Sequence, residues 1–331
     1  MTVTAAPPAM LAFDVEVTAV RRLGPSMVRV TFGGECLSRF GGGGPLGPRD
    51  LRVKLMFPAP GHPLPDLSDL SAGWYQRWLA LDPWTRGSMR TYTVRRARTA
   101  GAVPQIEIDF VLHGHSPTET GPGSGWAAQA APGQRLVVIG PHAGTTAYGG
   151  IEWQPPAAAD GGGVRVLLAG DETAVPAIGS ILESLPSGYA GCALLEVPTA
   201  QDAVALDGGG VEVRWLARDG RARGELLGAA VREVLGAQVR EVPGEGARPG
   251  GVPDLPEVDV DAEVLWDTPT AVVPDAGPGP GGGGPGEWYA WVAGEASVVR
   301  DLRRLLVRDL GLPRDCVAFM GYWRQGRAER V

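Results

Sequence analysis

Up to residue 139 apolar side chains recur at every second position in short runs, and from residue 164 they form unbroken runs followed by helical spacing. In the first part, Phe13, Val15 and Val17, then residues 27–32, predict two strands around a turn holding Gly24 and Pro25. Leu51, Val53 and Leu55 fall on one face and Arg52, Lys54 and Met56 on the other, which predicts a third strand. Residues 89–95 are rich in strand formers; in residues 105–113 Ile106, Ile108, Phe110 and Leu112 alternate with Glu107, Asp109 and Val111; residues 136–139 close at Gly140 and Pro141. Six short strands punctuated by Gly and Pro predict a small antiparallel Greek-key β-barrel. Residues 41–48 read as a surface loop. Residues 58–87 carry Pro, Trp74, Trp78 and Trp84 and predict a long loop with a short helix near 74–81, either folded over one side of the barrel or simply packed.

The second period belongs to an α/β unit. Residues 164–170 predict a buried strand, Asp171, Glu172 and Thr173 a capped turn, and residues 174–185 a helix with Pro176 in its first turn. Strands at 192–197 and 211–217, a helix at 225–235, a strand at 288–295, a helix at 297–310 with Val299, Leu302, Leu305 and Leu306 inward, and a strand at 317–322 complete a doubly wound parallel sheet. Arg300, Arg303, Arg304 and Arg308 are expected on that helix's solvated face. The organisation expected is a barrel over 1–147, a linker over 148–163 and the α/β domain over 164–331. Residues 243–286, with 20 Gly or Pro among 44, read as a mobile insertion with one strand near 262–266.

Composition narrows the classes. A formal charge of -7 argues against nonspecific binding to nucleic acid, which requires a basic footprint. No run approaches the ~20 apolar residues of a membrane span. Residues 1–10 show no secretion signal, so the expected location is the cytoplasm, and with no long exposed apolar stripe the expected state is a monomer. Cys36, Cys192 and Cys316 are too far apart for a Cys-x-x-Cys metal site and read as small buried fillers. His113 and His115 have no third ligand beside them, so no metal site is expected. Lys54 is the only lysine.

The chemistry gathers on Arg90-Thr91-Tyr92-Thr93. On a strand Arg90 and Tyr92 share a face, offering a guanidinium fork to an anion and a stacking surface to a flat ring. The Thr93 hydroxyl could meet a ring nitrogen. Glycines at 121, 123 and 125 around Ser124 precede a short helix, and such a segment can bring backbone amides to a diphosphate or be no more than a capped helix.

Arg-x-Tyr-Thr on a barrel strand resembles the flavin-binding strand of ferredoxin reductase-like proteins. Together with residues 109–114 (Asp-Phe-Val-Leu-His-Gly), 121–127, 169–178, 291–304 and 321–326 (Gly-Tyr-Trp-Arg-Gln-Gly), the chain resembles the siderophore-interacting protein family, flavin-dependent ferric-siderophore reductases. The resemblance implies FAD held noncovalently between the domains. Arg90, Thr91, Tyr92 and Thr93 would form the flavin strand, His113 and Gly114 would lie beside the cofactor, and Gly123, Ser124 and Ala127 near its diphosphate. A small residue, often Ala, is usual in the family where Gly123 stands. Asp171, Glu172 and Thr173 would line the nicotinamide side and Gly294 and Glu295 the opposite wall; as helix caps they need do nothing more. The donor would be NADPH or NADH, with Arg218 placed to meet a 2′-phosphate. The substrate would be a ferric siderophore, approached by Lys54 and by arginines such as Arg304. Alternatives are a flavin reductase for another acceptor such as ferredoxin, free flavin or a quinone, a siderophore binder without flavin, and a scaffold protein.

Overall fold

A computed structural model describes residues 8–113, 121–145, 148–155, 164–239, 260, 264–269 and 288–326. The chain divides into two compact units, the first ending at Ile151 and the second starting at Glu152.

The first unit is built on β1 (Met10–Gly24), β2 (Met27–Gly33), β3 (Arg52–Phe57), β4 (Ser88–Arg98), β5 (Gln105–Val111) and β6 (Arg135–Pro141). They close into a barrel in the order β1-β2-β5-β4-β3-β6, with every pairing antiparallel. That order is a Greek key: the chain leaves β2, crosses the barrel end to β3, and returns through β4 and β5. The alternating positions do what their period requires. Phe13, Val15, Val17, Val53, Leu55, Ile106, Ile108 and Phe110 fill one core.

Met56 is also fully buried, although it lies on the outer face of β3. The cause is the 58–87 segment, which folds over that side. Its Leu67, and Trp78 from the short helix α1 (Trp74–Leu79), cluster with Met56, Met89, Val137 and Ile139. Trp78 donates its indole N–H to the Arg86 carbonyl at 3.2 Å, and the Arg86 guanidinium stands over the same ring at 4.9 Å. Each large apolar side chain so covered contributes roughly 1.5–3 kcal/mol. A second helix, α2 (Pro122–Ala128), lays Trp126 and Ala127 on the barrel core, with Trp126 stacked on Phe32 at 6.0 Å. It starts at Pro122, which needs no N–H in a first turn. Tyr148 packs on the barrel and donates its hydroxyl to the Arg52 carbonyl at 2.8 Å.

In the second unit β7 (Val164–Gly170), β8 (Tyr189–Val197), β9 (Val211–Ala217), β10 (Trp266–Asp267), β11 (Trp288–Glu295) and β12 (Val317–Trp323) form a sheet ordered β10-β12-β11-β7-β8-β9. All neighbours are parallel except β10, a short antiparallel edge on β12. Helices α4 (Glu225–Val239) and α5 (Ala296–Arg303) pack on Leu167, Ala169, Cys192, Leu194, Ala290, Val292 and Phe319. The alternate side chains, Val166, Leu168, Ala193 and Leu195, are equally buried on the other face, which α3 (Val175–Ser184) covers. The strand order reverses between β7 and β11, which stay paired to Gly170 and Ala293, and at such a switch point a crevice lies outside the carboxyl ends of the strands.

Three expectations need correction. The helix predicted over 297–310 is α-helical only to Arg303; residues Arg304–Asp309 widen to π-helical geometry, with Leu305 and Leu306 still inward. Arg303 is not on a solvated face. It is 4% exposed because Asp267 of β10 accepts from its Nε at 2.9 Å and from Nη2 at 2.8 Å. Among the cysteines only Cys192 is buried, while Cys36 and Cys316 are half-buried. Of the predicted 262–266 strand, residues 264–266 are described, and Trp266 opens β10; residues 261–263 lie outside the described residues, as do Gly114 and His115.

Candidate functional site

In the first unit the register of β3 on β4 fixes the faces. Leu55 stands opposite Arg90 and Val53 opposite Tyr92, while Lys54 faces Thr91 and Arg52 faces Thr93. Cross-strand partners share a face, so half-buried Arg90 and Tyr92 point to the side of the core residues Val53 and Leu55. Thr91 and Thr93 point the other way, Thr93 being buried. Arg90 donates from Nη1 to the Met89 carbonyl at 2.7 Å, and Lys54 Nζ donates to Thr91 Oγ1 at 2.6 Å. The Tyr92 ring lies 4.5 Å from Phe110 and 6.2 Å, edge-on, from Phe57.

The first turn of α2 closes over this ring. A Cβ placed on Gly123 would stand 2.1 Å from Tyr92 Oη, so the phenol and the glycine occupy adjoining space. Ser124 is buried, and its hydroxyl accepts from the His113 amide at 2.9 Å, which ties the end of β5 to α2. First-turn amides lack acceptors within a helix. Arg90, Tyr92, His113, Gly123 and Ser124 therefore come together at one end of the barrel, whereas Ala127, 2% exposed, faces the core.

In the second unit a cluster of charges occupies the crevice at the ends of β7 and β11. Asp171 Oδ1 accepts from the Thr173 amide at 2.9 Å and its hydroxyl at 2.6 Å; Oδ2 accepts from the Glu295 amide and the Trp323 indole, both at 2.9 Å. Gly294 makes this approach possible, since a Cβ there would lie 2.9 Å from the carboxylate carbon. Burial and the neighbouring Glu172 charge push the Asp171 carboxyl up, against the pull of Thr173, Arg223 and Trp323. Glu172 accepts from Arg218 at 2.9 and 3.2 Å and from Arg223 at 2.8 Å. Burial opposes its ionisation, but those two guanidinium groups hold it below the usual glutamate range. Glu295 caps α5, accepting from the Ser297 hydroxyl and amide and from the Val298 and Gln325 amides; these bonds outweigh its burial and lower its value too.

Arg218, expected to meet a 2′-phosphate, borders the cleft described below and is paired with carboxylates. Its side chain is 9% exposed and its guanidinium is already held by Glu172 and, at 3.4 Å, by Glu196. Sequence reasoning passed over Glu196, which also accepts from the Gly224 and Leu227 amides at the start of α4, and over Arg223, which stands 4.6 Å above the Trp323 ring. The Trp-Arg-Gln run that begins at the last residue of β12 was the available signal for Trp323 and Gln325. A cleft of about 470 Å³ opens beside Arg218, Arg221, Arg223, Glu295, Ser297 and Gln325. Arg304 is half-buried and lies 3.4 Å from Asp301.

Residues 16–145 match the siderophore-interacting FAD-binding domain and residues 164–326 the siderophore-interacting protein domain. The chain belongs to the siderophore-interacting protein family. Over 325 residues it is 31% identical to an uncharacterized protein of Mycobacterium tuberculosis, covering 96% of this chain and 91% of that one. It is 28% identical over 243 residues to the ferric vibriobactin reductase ViuB of Vibrio cholerae, covering 73% of this chain and 66% of the relative. Among solved structures, a siderophore utilization protein from T. fusca superposes with a TM-score of 0.59 at 28% identity, over 97% of this chain and 95% of the other.

Proposed function

We propose that this chain is a reductase of ferric siderophores that takes electrons from NADPH or NADH by way of bound FAD. The observation that carries the reading is the grouping of Arg90, Tyr92, Gly123 and Ser124 at one end of the barrel in a member of this family. These residues fit the cofactor: a guanidinium suits a phosphate, an aromatic ring suits a flat heterocycle, and residue 123 carries no side chain to obstruct either. When bound, FAD supplies the step from two-electron to one-electron chemistry. The protein supplies binding, orientation and electrostatics.

Each residue then has a task. Arg90 holds phosphate oxygens, Tyr92 walls one side of the ring, and Thr91 and Thr93 complete the strand. Ser124 fixes the His113 backbone, so that His113 would border the cofactor, with Ala127 seating α2; the resemblance alone adds Gly114 to that border. Asp171 would shape the nicotinamide wall through its bonds to Thr173, the Glu295 amide and Trp323, with Gly294 leaving room for its carboxylate and Glu172 held by Arg218 and Arg223. Lys54 and Arg304 offer positive charge to an anionic ferric complex. Reduction releases iron because Fe(II), softer and less charged, binds hard oxygen chelators far less tightly than Fe(III). A monomer working in the cytoplasm completes the proposal, and ferredoxin is the acceptor of the alternative reading.

The test is anaerobic reduction of a ferric hydroxamate or catecholate, read by a ferrous trap, with and without added FAD. Trapped Fe(II) that requires FAD and NADPH or NADH supports the reading, and an identical background rate in the absence of protein contradicts it.

A further inference from the structure

We infer that Arg223 is a positioning residue of the second unit's crevice: it holds the Trp323 indole in one plane at the end of β12, and through that ring sets how tightly the crevice takes the nicotinamide of NADPH or NADH. The inference rests on the reductase reading above. Trp323 is aimed by an irregularity in its own strand. Gly294 of β11 pairs with Gly321 and Glu295 with Trp323, so β12 carries one residue, Tyr322, more than its partner. An extra residue turns the side chains after it to the opposite face. The indole N–H thereby reaches Asp171 Oδ2 at 2.9 Å. One hydrogen bond fixes an edge of the ring, not its plane. Arg223 supplies the second constraint: its guanidinium carbon stands 4.6 Å from the ring centroid, with Nη1 2.8 Å from Glu172 Oε2 and 3.6 Å from Asp171 Oδ2.

The place of Arg223 is itself fixed by its neighbour. Gly224 has a φ of +82°, its amide donates to Glu196 at 2.8 Å, and a Cβ on it would meet Val298 of α5 at 2.8 Å. The chain therefore enters α4 at one point, with Arg223 directed back across the end of β7. Glu172 does not depend on Arg223 alone, since Arg218 donates to both of its oxygens at 2.9 and 3.2 Å. Loss of Arg223 leaves that carboxylate paired while uncovering the Trp323 ring. A lysine at 223 would keep a charge near Glu172 but not the flat guanidinium that spans the carboxylate and the ring.

The test compares Arg223→Ala, Arg223→Lys, Trp323→Leu and the Arg223→Ala, Trp323→Leu pair. Each is read by near-ultraviolet circular dichroism, by the dissociation constants of NADP+ and NAD+, and by KM and kcat for the reduced nucleotide with an excess of a ferric hydroxamate. Arg223→Ala is expected to weaken a tryptophan dichroism band and to raise both KM and the dissociation constant about tenfold, with kcat within about twofold, as the loss of one cation–π contact allows. Arg223→Lys should lose about threefold or more although it keeps the charge, and in the Trp323→Leu background Arg223→Ala should cost less than about twofold. Parent-like values for Arg223→Lys, an equal cost in both backgrounds, or an unchanged KM overturns the inference. If Arg223→Ala does not fold, Arg223→Lys takes its place in the cycle: coupling to Trp323→Leu supports the inference and additive losses contradict it. If the unsubstituted protein binds a nicotinamide nucleotide but reduces no ferric complex, the reductase reading fails, while the cycle in nucleotide affinity still decides whether Arg223 acts through Trp323. A protein that binds neither nucleotide contradicts both.

Discussion

Lys54 donates to Thr91 Oγ1 at 2.6 Å on the outer face of β3, one strand away from the residues that face α2. Its charge can meet an anionic substrate without touching Arg90 or Tyr92, which point the other way. Lys54→Gln is therefore expected to raise KM for an anionic ferric siderophore about tenfold, the size of one lost charged contact, with flavin content unchanged. Steady-state kinetics with a ferrous trap would show it, and an unchanged KM would remove Lys54 from the substrate site. Arg90→Ala should act in the opposite compartment of function, weakening FAD about a hundredfold by the loss of a charge-assisted contact, as a flavin titration would measure. Alternation alone made Arg90 and Tyr92 readable as one face. What Tyr92 touches was not readable, because Phe57, Phe110 and Gly123 come from three different elements.

Among the elements, the crevice of the second unit owes its shape to bonds that reach across long stretches of chain. Glu172 joins β7 to the segment after β9, Glu196 of β8 caps α4, and Asp171 secures both β11 and Trp323. Glu172→Gln leaves Arg218 and Arg223 without their shared counter-charge and is expected to cost about 3 kcal/mol in denaturant unfolding. The pH dependence has a definite sign. Glu172 and Glu295 are depressed in the folded protein, so the stability they contribute is present above the ordinary value of 4.5 and is lost as pH falls through their lowered values. Asp171 is raised, so it works in the opposite sense as it ionises. The acid side of the stability profile should thus be shallower for Glu172→Gln than for the parent. Gly294→Ala meets both a φ of +149° and the Asp171 carboxylate at 2.9 Å, and should cost about 1–3 kcal/mol. Here the sequence was legible only in part. Strand, turn and helix followed from periodicity and capping residues, yet nothing local says that Arg303 will find Asp267, 36 positions earlier, or that Arg218 will be taken up by carboxylates.

At the scale of the whole molecule, a six-stranded barrel and a six-stranded α/β sheet follow one another along the chain, as the change of apolar period at residue 164 predicts. The switch point of the second sheet places the Asp171 turn and Gly294-Glu295 side by side, which strand order alone brings about. The 58–87 segment was the least legible part, since its aromatic residues bury a side of the barrel whose outward positions, Met56 and Met89, look ordinary in sequence. The account as a whole stands on a flavin held by the first unit and reduced by a nicotinamide. The most direct measurement is the visible spectrum of the protein reconstituted with FAD, taken without oxygen before and after NADPH or NADH and again after a ferric siderophore. The account predicts a protein-bound flavin band that bleaches with the nicotinamide and returns with the ferric complex. A protein that takes up no FAD, or a bound flavin whose band neither nicotinamide bleaches, would contradict it.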